Sequence, residues 1–270
     1  MYQQPYNTYK NLNSPKTYDT IKISSLGSFF FMADLYKYAP NIVLNKQKRR
    51  EDGRILPISI FGSNSKQGTA IYVKPINALF DIGINYQKVQ SLNDSIDIIM
   101  VSHAHSDHLN WSTLVSMIKA HPMIVVLIPY FVEIPSAYEY LSRNIMKVHD
   151  NIELTLRLRT GQSIKVTPLE MPHGNEKSFS YSVEYEKAGL LFSTDLSSTS
   201  HLPQLKKYSI IMIETNYDAD EFISENGTGG ATAHLSVQDA MRYAIAHLDN
   251  YGKIIPLHFG PTMINYNQLH

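Results

Sequence analysis

The segment that most constrains this chain is the six-residue stretch His103-Ala104-His105-Ser106-Asp107-His108. It follows the mostly apolar residues 96–102, which we predict to be a buried strand. A loop at a strand end is held in place by the sheet. Imidazole nitrogens and carboxylate oxygens at this density suit zinc, manganese or iron. The first two histidines can face one point, and the aspartate and third histidine a neighbouring one, so one short loop can serve two metals.

Composition excludes several classes of protein. The 270 residues include 43% hydrophobic side chains, enough for a sizeable core. The absence of cysteine excludes disulfides and thiolate metal sites. The 24 basic and 24 acidic residues cancel, which argues against a strongly basic surface for long nucleic acids. Residues 1–10 are polar, and no apolar run approaches the ~20 residues of a membrane span. We therefore expect a soluble, cytoplasmic protein without membrane contact.

Most of the elements that the apolar patterns predict are strands, and two are helices. Helices are expected at 111–120, after a cap at Asn110 or Ser112, and at 236–248, where Ser236 and Asp239 form a capping box. Strands are expected at 58–61, 69–73, 78–82, 96–102, 123–128, 164–171, 181–185, 190–195, 209–213 and 253–259. Residues 58–270 then form one domain. Residues 1–57 form a polar N-terminal arm whose role is a flap, a lid or a contact within a homodimer.

The histidine-rich stretch resembles the His-X-His-X-Asp-His signature of the metallo-β-lactamase superfamily. This resemblance implies an α/β fold, namely an αββα sandwich of two mixed β-sheets flanked by helices, and two divalent metal ions, zinc or manganese. The superfamily also needs a later histidine, a bridging aspartate and a final histidine. These match His173 in Met-Pro-His-Gly, Asp195 in Phe-Ser-Thr-Asp and His258 in Ile-Pro-Leu-His-Phe-Gly.

The resemblance assigns ligands to each metal. The first metal takes His103, His105, His173 and Asp195, and the second takes Asp107, His108, Asp195 and His258. Asp81, at the end of the strand 78–82, would support the ligands from behind. The alternative for Asp81 is an ordinary turn residue.

Two further motifs resemble phosphodiesterase branches of the superfamily. Glu214-Thr215 resembles the Glu-Ala-Thr motif of tRNase Z, and the segment 233–236 (Ala-His-Leu-Ser) resembles the Gly-His-Leu-Ser motif of a bacterial DNA exonuclease branch. The exonuclease branch also has a Glu-X-Asn-His-Asp stretch, which residues 214–218 (Glu-Thr-Asn-Tyr-Asp) resemble. Tyr217 departs from this stretch, and Ala233 replaces the glycine of the Gly-His-Leu-Ser motif. The resemblance implies that His234 contacts the substrate phosphate or protonates the leaving oxygen, that Glu214 holds His234, and that Asp107 steers the nucleophile.

The expected function is therefore hydrolysis of a phosphodiester in a compact nucleotide. The leading candidate substrate is a cyclic nucleotide, such as a defence signal, because the zero net charge of the chain disfavours the binding of long nucleic acids. A nuclease of the bacterial exonuclease or tRNase Z type, acting on a short nucleic acid, is the alternative. A lactonase or thioesterase would use the same metals but would leave His234 and Glu214 without a purpose.

Overall fold

The structure is a computed structural model that describes residues 58–219 and 233–258. The predicted arm 1–57 lies outside these residues, as does the end of the strand expected to reach residue 259. In the described part, twelve strands form two six-stranded sheets. No helix in that part has the length and apolar content that a membrane span needs.

The first sheet contains the first six strands in chain order. Its first three strands are antiparallel, and the last four run parallel to one another. The strands are β1 (Ile58–Asn64), β2 (Gly68–Val73), β3 (Ala78–Phe80), β4 (Ile98–Met100), β5 (Val125–Pro129) and β6 (Ile145–Val148).

The second sheet has the order β12-β11-β10-β9-β8-β7. Strands β7 to β10 pair antiparallel, and β10, β11 and β12 pair parallel. The strands are β7 (Leu154–Arg157), β8 (Ser163–His173), β9 (Glu176–Tyr185), β10 (Ala188–Ser193), β11 (Tyr208–Glu214) and β12 (Leu248–Leu257). Both sheets are mixed, as predicted.

Alternation along each strand divides the apolar side chains between three layers. Phe80 and Met100 face the core between the sheets, where the ring of Phe80 lies 4.9 Å from that of Phe192. Their neighbours Leu79 and Ile99 face the other side of the first sheet. Because successive side chains of a strand point to opposite faces, each central strand is buried on both sides. The predicted αββα sandwich is confirmed.

Helices cover the outer faces of the two sheets. Helix α1 (Tyr86–Val89) is short, whereas α2 (Trp111–Ala120) buries Leu114 and Ile118 against the first sheet. Helix α3 (Val237–His247) buries Ala240 and Ala244 against the second.

Both predicted helix caps are confirmed. The Asn110 side chain accepts a hydrogen bond from Thr113 N at 3.1 Å, so Asn110 and not Ser112 begins α2. The Ser236 side chain accepts one from Asp239 N at 3.1 Å and begins α3. Helix α3 ends at His247, one residue earlier than predicted, because Leu248 already pairs in β12.

The direction of the strands gathers the polar strand ends at one edge. In the second sheet β8 runs in the same direction as β10, β11 and β12, because two antiparallel steps separate it from β10. His173, Asp195, Glu214 and His258 therefore lie at the carboxyl ends of four co-directional strands. The loop after β4 reaches the same edge, since Phe179 N of β9 donates to Ser102 O at 2.8 Å.

Candidate metal centre

The histidine-rich loop is fixed to the first sheet by its own backbone. Asp107 O accepts from Thr69 N at 2.6 Å, and His108 O accepts from Ile82 N at 2.8 Å. Gly83 allows this close approach, because a Cβ atom there would lie 1.8 Å from Asp107 O. The loop after β4 therefore packs against the ends of β2 and β3, and its side chains are directed from a rigid base.

The predicted ligand set lies together in space. One potential ligand atom from each of His103, His105 and His173 lies within 4.8 Å of the others. The same holds for Asp107, His108 and His258.

Asp195 lies between these two groups. Its Oδ2 is 2.9 Å from His108 Nε2, and its Oδ1 is 3.6 Å from both His173 Nε2 and His258 Nε2. Asp195 is buried. A carboxylate in this position contacts histidines of both groups, which is the geometry that a bridging aspartate requires.

Asp81 orients two of the histidines from behind. Its carboxylate is fully buried and accepts from Ser102 N at 2.7 Å, from Ser102 Oγ at 3.0 Å and from His108 Nδ1 at 2.6 Å. Because Ser102 Oγ donates its one proton to Asp81, it can only accept from His103 Nδ1, 3.0 Å away. With Nδ1 as the donor in both rings, the neutral form of each imidazole carries its lone pair on Nε2.

These Nε2 nitrogens supply a test of metal binding. The Nε2 atoms of His103, His108 and His258 are buried and make no hydrogen bond of acceptable geometry, although those of His108 and His258 face carboxylate oxygens 2.9–3.6 Å away. Buried polar atoms in native proteins normally have one. A metal ion bound to neutral imidazole nitrogens and to Asp195 satisfies all three, with the nitrogen and oxygen donors that zinc and manganese accept. The residues present fit a metal centre.

The electrostatics of the cluster also favour a bound cation. Burial lowers the pKa of His103 well below its usual value, so this ligand is neutral. Burial opposes ionisation of Asp195, but the surrounding histidines, His108 foremost, together outweigh it and hold the pKa of Asp195 well below its usual range. Burial likewise disfavours a charged His258, yet its contacts with Asp107 and Glu214 raise the pKa of His258. Carboxylates therefore surround His258 with negative charge. This charge attracts a cation, and a metal ion and a proton compete for the position.

The backbone at the site is strained. Asp81, Asp195 and His258 have φ angles of 57°, 52° and 51°, in the left-handed region that residues other than glycine rarely adopt. Such residues cost of order 1–3 kcal/mol each, and they cluster at functional sites. A backbone hydrogen bond from His258 N to Ser63 O at 2.7 Å helps to hold the last of them.

Glu214 and His234 form a pair beside the cluster. His234 Nδ1 lies 2.6 Å from Glu214 Oε1, and Glu214 Oε2 accepts from Leu196 N at 2.9 Å. Glu214 is fully buried, whereas about a quarter (26%) of the His234 side chain is exposed. Burial opposes a charged His234, but the hydrogen bond and the charge of Glu214, together with the charge of Asp195, outweigh it and raise the pKa of His234. The His234 ring stacks on that of His258 at 5.3 Å, so it stands at the open side of the cluster.

Sequence reasoning missed two residues that contact the cluster. Ser102 links His103 to Asp81, and it gave no signal because one serine at a strand end is common. Glu176 Oε2 lies 2.6 Å from His105 Nε2, across the turn that follows His173. A carboxylate on one ring nitrogen leaves the other nitrogen of His105 for a metal. Glu176 pairs with His173 in the β8–β9 hairpin, and its position just after the predicted ligand His173 is the signal that could have identified it.

A sandwich of two mixed sheets, with a buried His/Asp cluster at the carboxyl ends of its strands, defines a metal-dependent hydrolase of the metallo-β-lactamase fold. Residues 76–259, more than half of the sequence, match the Beta-lactamase superfamily domain, and the chain belongs to this family. No curated protein sequence matches the chain.

Several solved structures share the fold at low sequence identity. Human tRNase Z, short form, is 13% identical with a TM-score of 0.54, covering 76% of this chain and 93% of its own. A diphosphatase from the PhnP family is 14% identical with a TM-score of 0.53, covering 75% and 85%. Zn²⁺-bound PqqB from Methylobacterium extorquens is 13% identical with a TM-score of 0.54, covering 78% and 93%. At these identities the likeness establishes the fold alone.

Proposed function

We propose that this protein uses two divalent metal ions, zinc or manganese, to hydrolyse a phosphodiester bond in a compact nucleotide, with a cyclic nucleotide as the leading substrate. The observation that carries the proposal is the pair of His234 and Glu214. A buried carboxylate holds a partly exposed histidine beside the metal cluster. His234 and Glu214 also lie within 4.8 Å of Asp195 and His258, but two other groups of side chains can hold two metals without His234.

The proposed metal ligands fall into the two groups of side chains described above. His103, His105 and His173 would hold the first metal, and Asp107, His108 and His258 would hold the second. Asp195, which lies between the two groups, would be shared by both metals. Two metals of this kind activate water and stabilise the charge that develops on a phosphoryl group.

His234 acts on the leaving group. Its Nδ1 is bound to Glu214, so Nε2 is the nitrogen that meets the substrate. The raised pKa of His234 favours the protonated ring, which can contact a phosphate oxygen or give a proton to the departing oxygen. An acyl substrate needs no such donor of fixed orientation on this side, and this favours phosphodiesters over lactones and thioesters.

The proposal of a compact substrate rests on the net charge of the chain. The chain has no net charge, whereas affinity for long nucleic acids comes mainly from cationic contacts with phosphates. A tRNase and a diphosphatase are among the structures that share this fold, so the fold accommodates phosphate-ester chemistry in other proteins. Localisation in the cytoplasm is part of the same proposal.

The test compares substrate classes on protein loaded with zinc or manganese. The substrates are 3′,5′-cyclic mononucleotides, a cyclic dinucleotide, single-stranded DNA and an acyl-lactone. Turnover of a nucleotide substrate supports the proposal, and turnover of the lactone alone refutes it.

His234→Ala tests the role of the histidine. We expect activity to fall about 10²–10⁴-fold, the usual contribution of a general acid, while both metals stay bound. His201→Ala is the matched control, since His201 is exposed and outside the clustered ligand groups. Unchanged activity of the His234 variant, at full metal content, would contradict the assigned role.

A further inference from the structure

A polar groove lies directly beside the proposed second metal. It encloses about 370 Å³, at the small end of ligand sites, which span about 300–1,000 Å³. One wall is Ser106 and Asp107 of the histidine-rich loop. The groove therefore shares Asp107 with the proposed second metal site.

Two lysines give the groove its charge. Lys66 lies in the turn between β1 and β2, and Lys88 lies in α1. Both are exposed, and neither forms an ion pair with another residue in the described ranges 58–219 and 233–258. The one acidic residue in the lining is Asp107, whose carboxylate already lies 3.6 Å from His258 Nε2 and 3.4 Å from His108 Nε2. The two ammonium groups thus face the groove without an acidic counterpart of their own.

The turn that carries Lys66 has a defined position. Asn64 Oδ1 accepts from Lys66 N at 3.1 Å and from Gln67 N at 2.9 Å. Thr69 N, at the start of β2, donates to Asp107 O at 2.6 Å. The turn is thereby tied to the loop that supplies the metal ligands, so the distance between Lys66 and the metal site is set by backbone contacts.

The remaining lining favours an anion over a base. Gln67, Asn85 and Ser106 offer amide and hydroxyl donors, and among the residues that the structure describes the lining contains no aromatic ring on which a base could stack. Ammonium groups with neighbouring amide and hydroxyl donors are the chemistry that recognises phosphate.

We propose that the groove between Lys66 and Lys88 binds a second phosphate of the nucleotide substrate. This inference rests on the proposed phosphodiesterase function and narrows it. The substrate then carries two phosphates, one at the metals and one in the groove. A cyclic dinucleotide or a short oligonucleotide meets that requirement, and a cyclic mononucleotide does not.

The test is a binding measurement with two matched ligands. Both are thymidine dinucleotides with a slowly hydrolysed phosphorothioate linkage, and only one carries a 5′-phosphate. Each is titrated calorimetrically into the metal-loaded protein. The sulfur and the bases are common to both ligands, so the ratio of the two affinities reports the extra phosphate alone.

We expect the wild-type protein to bind the 5′-phosphorylated ligand about tenfold more tightly, the sum of two exposed ion pairs. The double variant K66Q/K88Q should lose this preference and bind both ligands as the wild type binds the unphosphorylated one. The charge-matched control K119Q/K187Q removes two exposed lysines outside the groove, and this variant should keep the preference for the 5′-phosphorylated ligand. Equal wild-type affinities, or a preference that survives in K66Q/K88Q, would overturn the proposal.

Turnover separates this inference from the function on which it rests. Hydrolysis of the ordinary phosphodiester analogues, without a preference for the 5′-phosphate, supports the phosphodiesterase and overturns the groove. The opposite result is a binding preference for the 5′-phosphate that is lost only in K66Q/K88Q, while no phosphodiester is hydrolysed. That result supports an anion site in the groove and overturns the proposed phosphodiesterase function.

Discussion

Replacing Asp81 with asparagine keeps the size of the side chain but removes one acceptor oxygen from a buried site. In the wild type one carboxylate oxygen accepts from Ser102 N, and the other from Ser102 Oγ and His108 Nδ1. The asparagine has one oxygen and one NH₂ group for these three contacts. Since Ser102 N–H cannot change direction, the amide oxygen must face it, and the NH₂ group then faces His108.

That arrangement changes the proton position on His108. An NH₂ group beside Nδ1 requires Nδ1 to accept, so the proton moves to Nε2. Nε2 is the buried atom without a hydrogen-bond partner, 2.9 Å from Asp195 Oδ2, that we assign to the second metal. Metal binding must then displace this proton. Loss of such a supporting carboxylate typically lowers metal affinity 10- to 100-fold, or about 1.4–2.8 kcal/mol.

The assay is a zinc titration of metal-free protein in competition with a chromophoric chelator, fitted to two sites. We expect Asp81→Asn to weaken the site that contains His108 by 10- to 100-fold. Asp94→Asn is the control, because it makes the same change at an exposed turn position. Wild-type affinity at both sites in the Asp81 variant would refute the argument from the His108 tautomer.

Three further predictions concern the loop, His105 and the metals. Gly83→Ala places a Cβ atom 1.8 Å from Asp107 O, so we expect a loss of about 1–3 kcal/mol in chemical denaturation together with weaker zinc binding. Gly161→Ala, with no atom within 4 Å, should leave zinc affinity unchanged, and equal affinities in both variants would exclude a role for the packing of Gly83. Glu176→Gln should weaken zinc binding only about two- to fivefold, because its contact with His105 is partly exposed; a loss of about tenfold or more in the same titration would contradict this weak contact. Removing the metals with a chelator should abolish hydrolysis and lower Tm, and zinc at about 100 times its Kd should restore about 2.7 kcal/mol; an unchanged Tm in calorimetry would argue against buried metals.

The sequence predicted the elements whose apolar residues follow a clear pattern, because such residues fit only a buried strand or the buried face of a helix. The apolar segment before His103 forms β4, and the helix predicted over 111–120 has those bounds in the structure, with the cap at Asn110. Strand ends were less accurate. The first strand runs to Asn64 rather than Phe61, because Gly62 to Asn64 continue the pairing with β2 past an irregularity in the register. The short edge strands β6 and β7 were not predicted, since each spans only four residues and together they bury only one, Val148, which leaves little apolar pattern to detect.

The candidate site divides in the same way. The motif residues could be predicted because each follows an apolar strand, and the shared direction of those strands brings them to one edge. The contacts among them could not. Ser102 and Glu176 act through distances of 2.6–3.0 Å that depend on side-chain orientation, and the groove at Lys66 and Lys88 depends on how three loops meet. Sequence spacing carries no information on either.

The most direct test of the two-metal centre is anomalous X-ray scattering at the zinc edge from crystals of the zinc-loaded protein. The assignment predicts two peaks, one among His103, His105 and His173 and one among Asp107, His108 and His258, with Asp195 between them. A single peak, no peak, or zinc bound by His234 and Glu214 would contradict it.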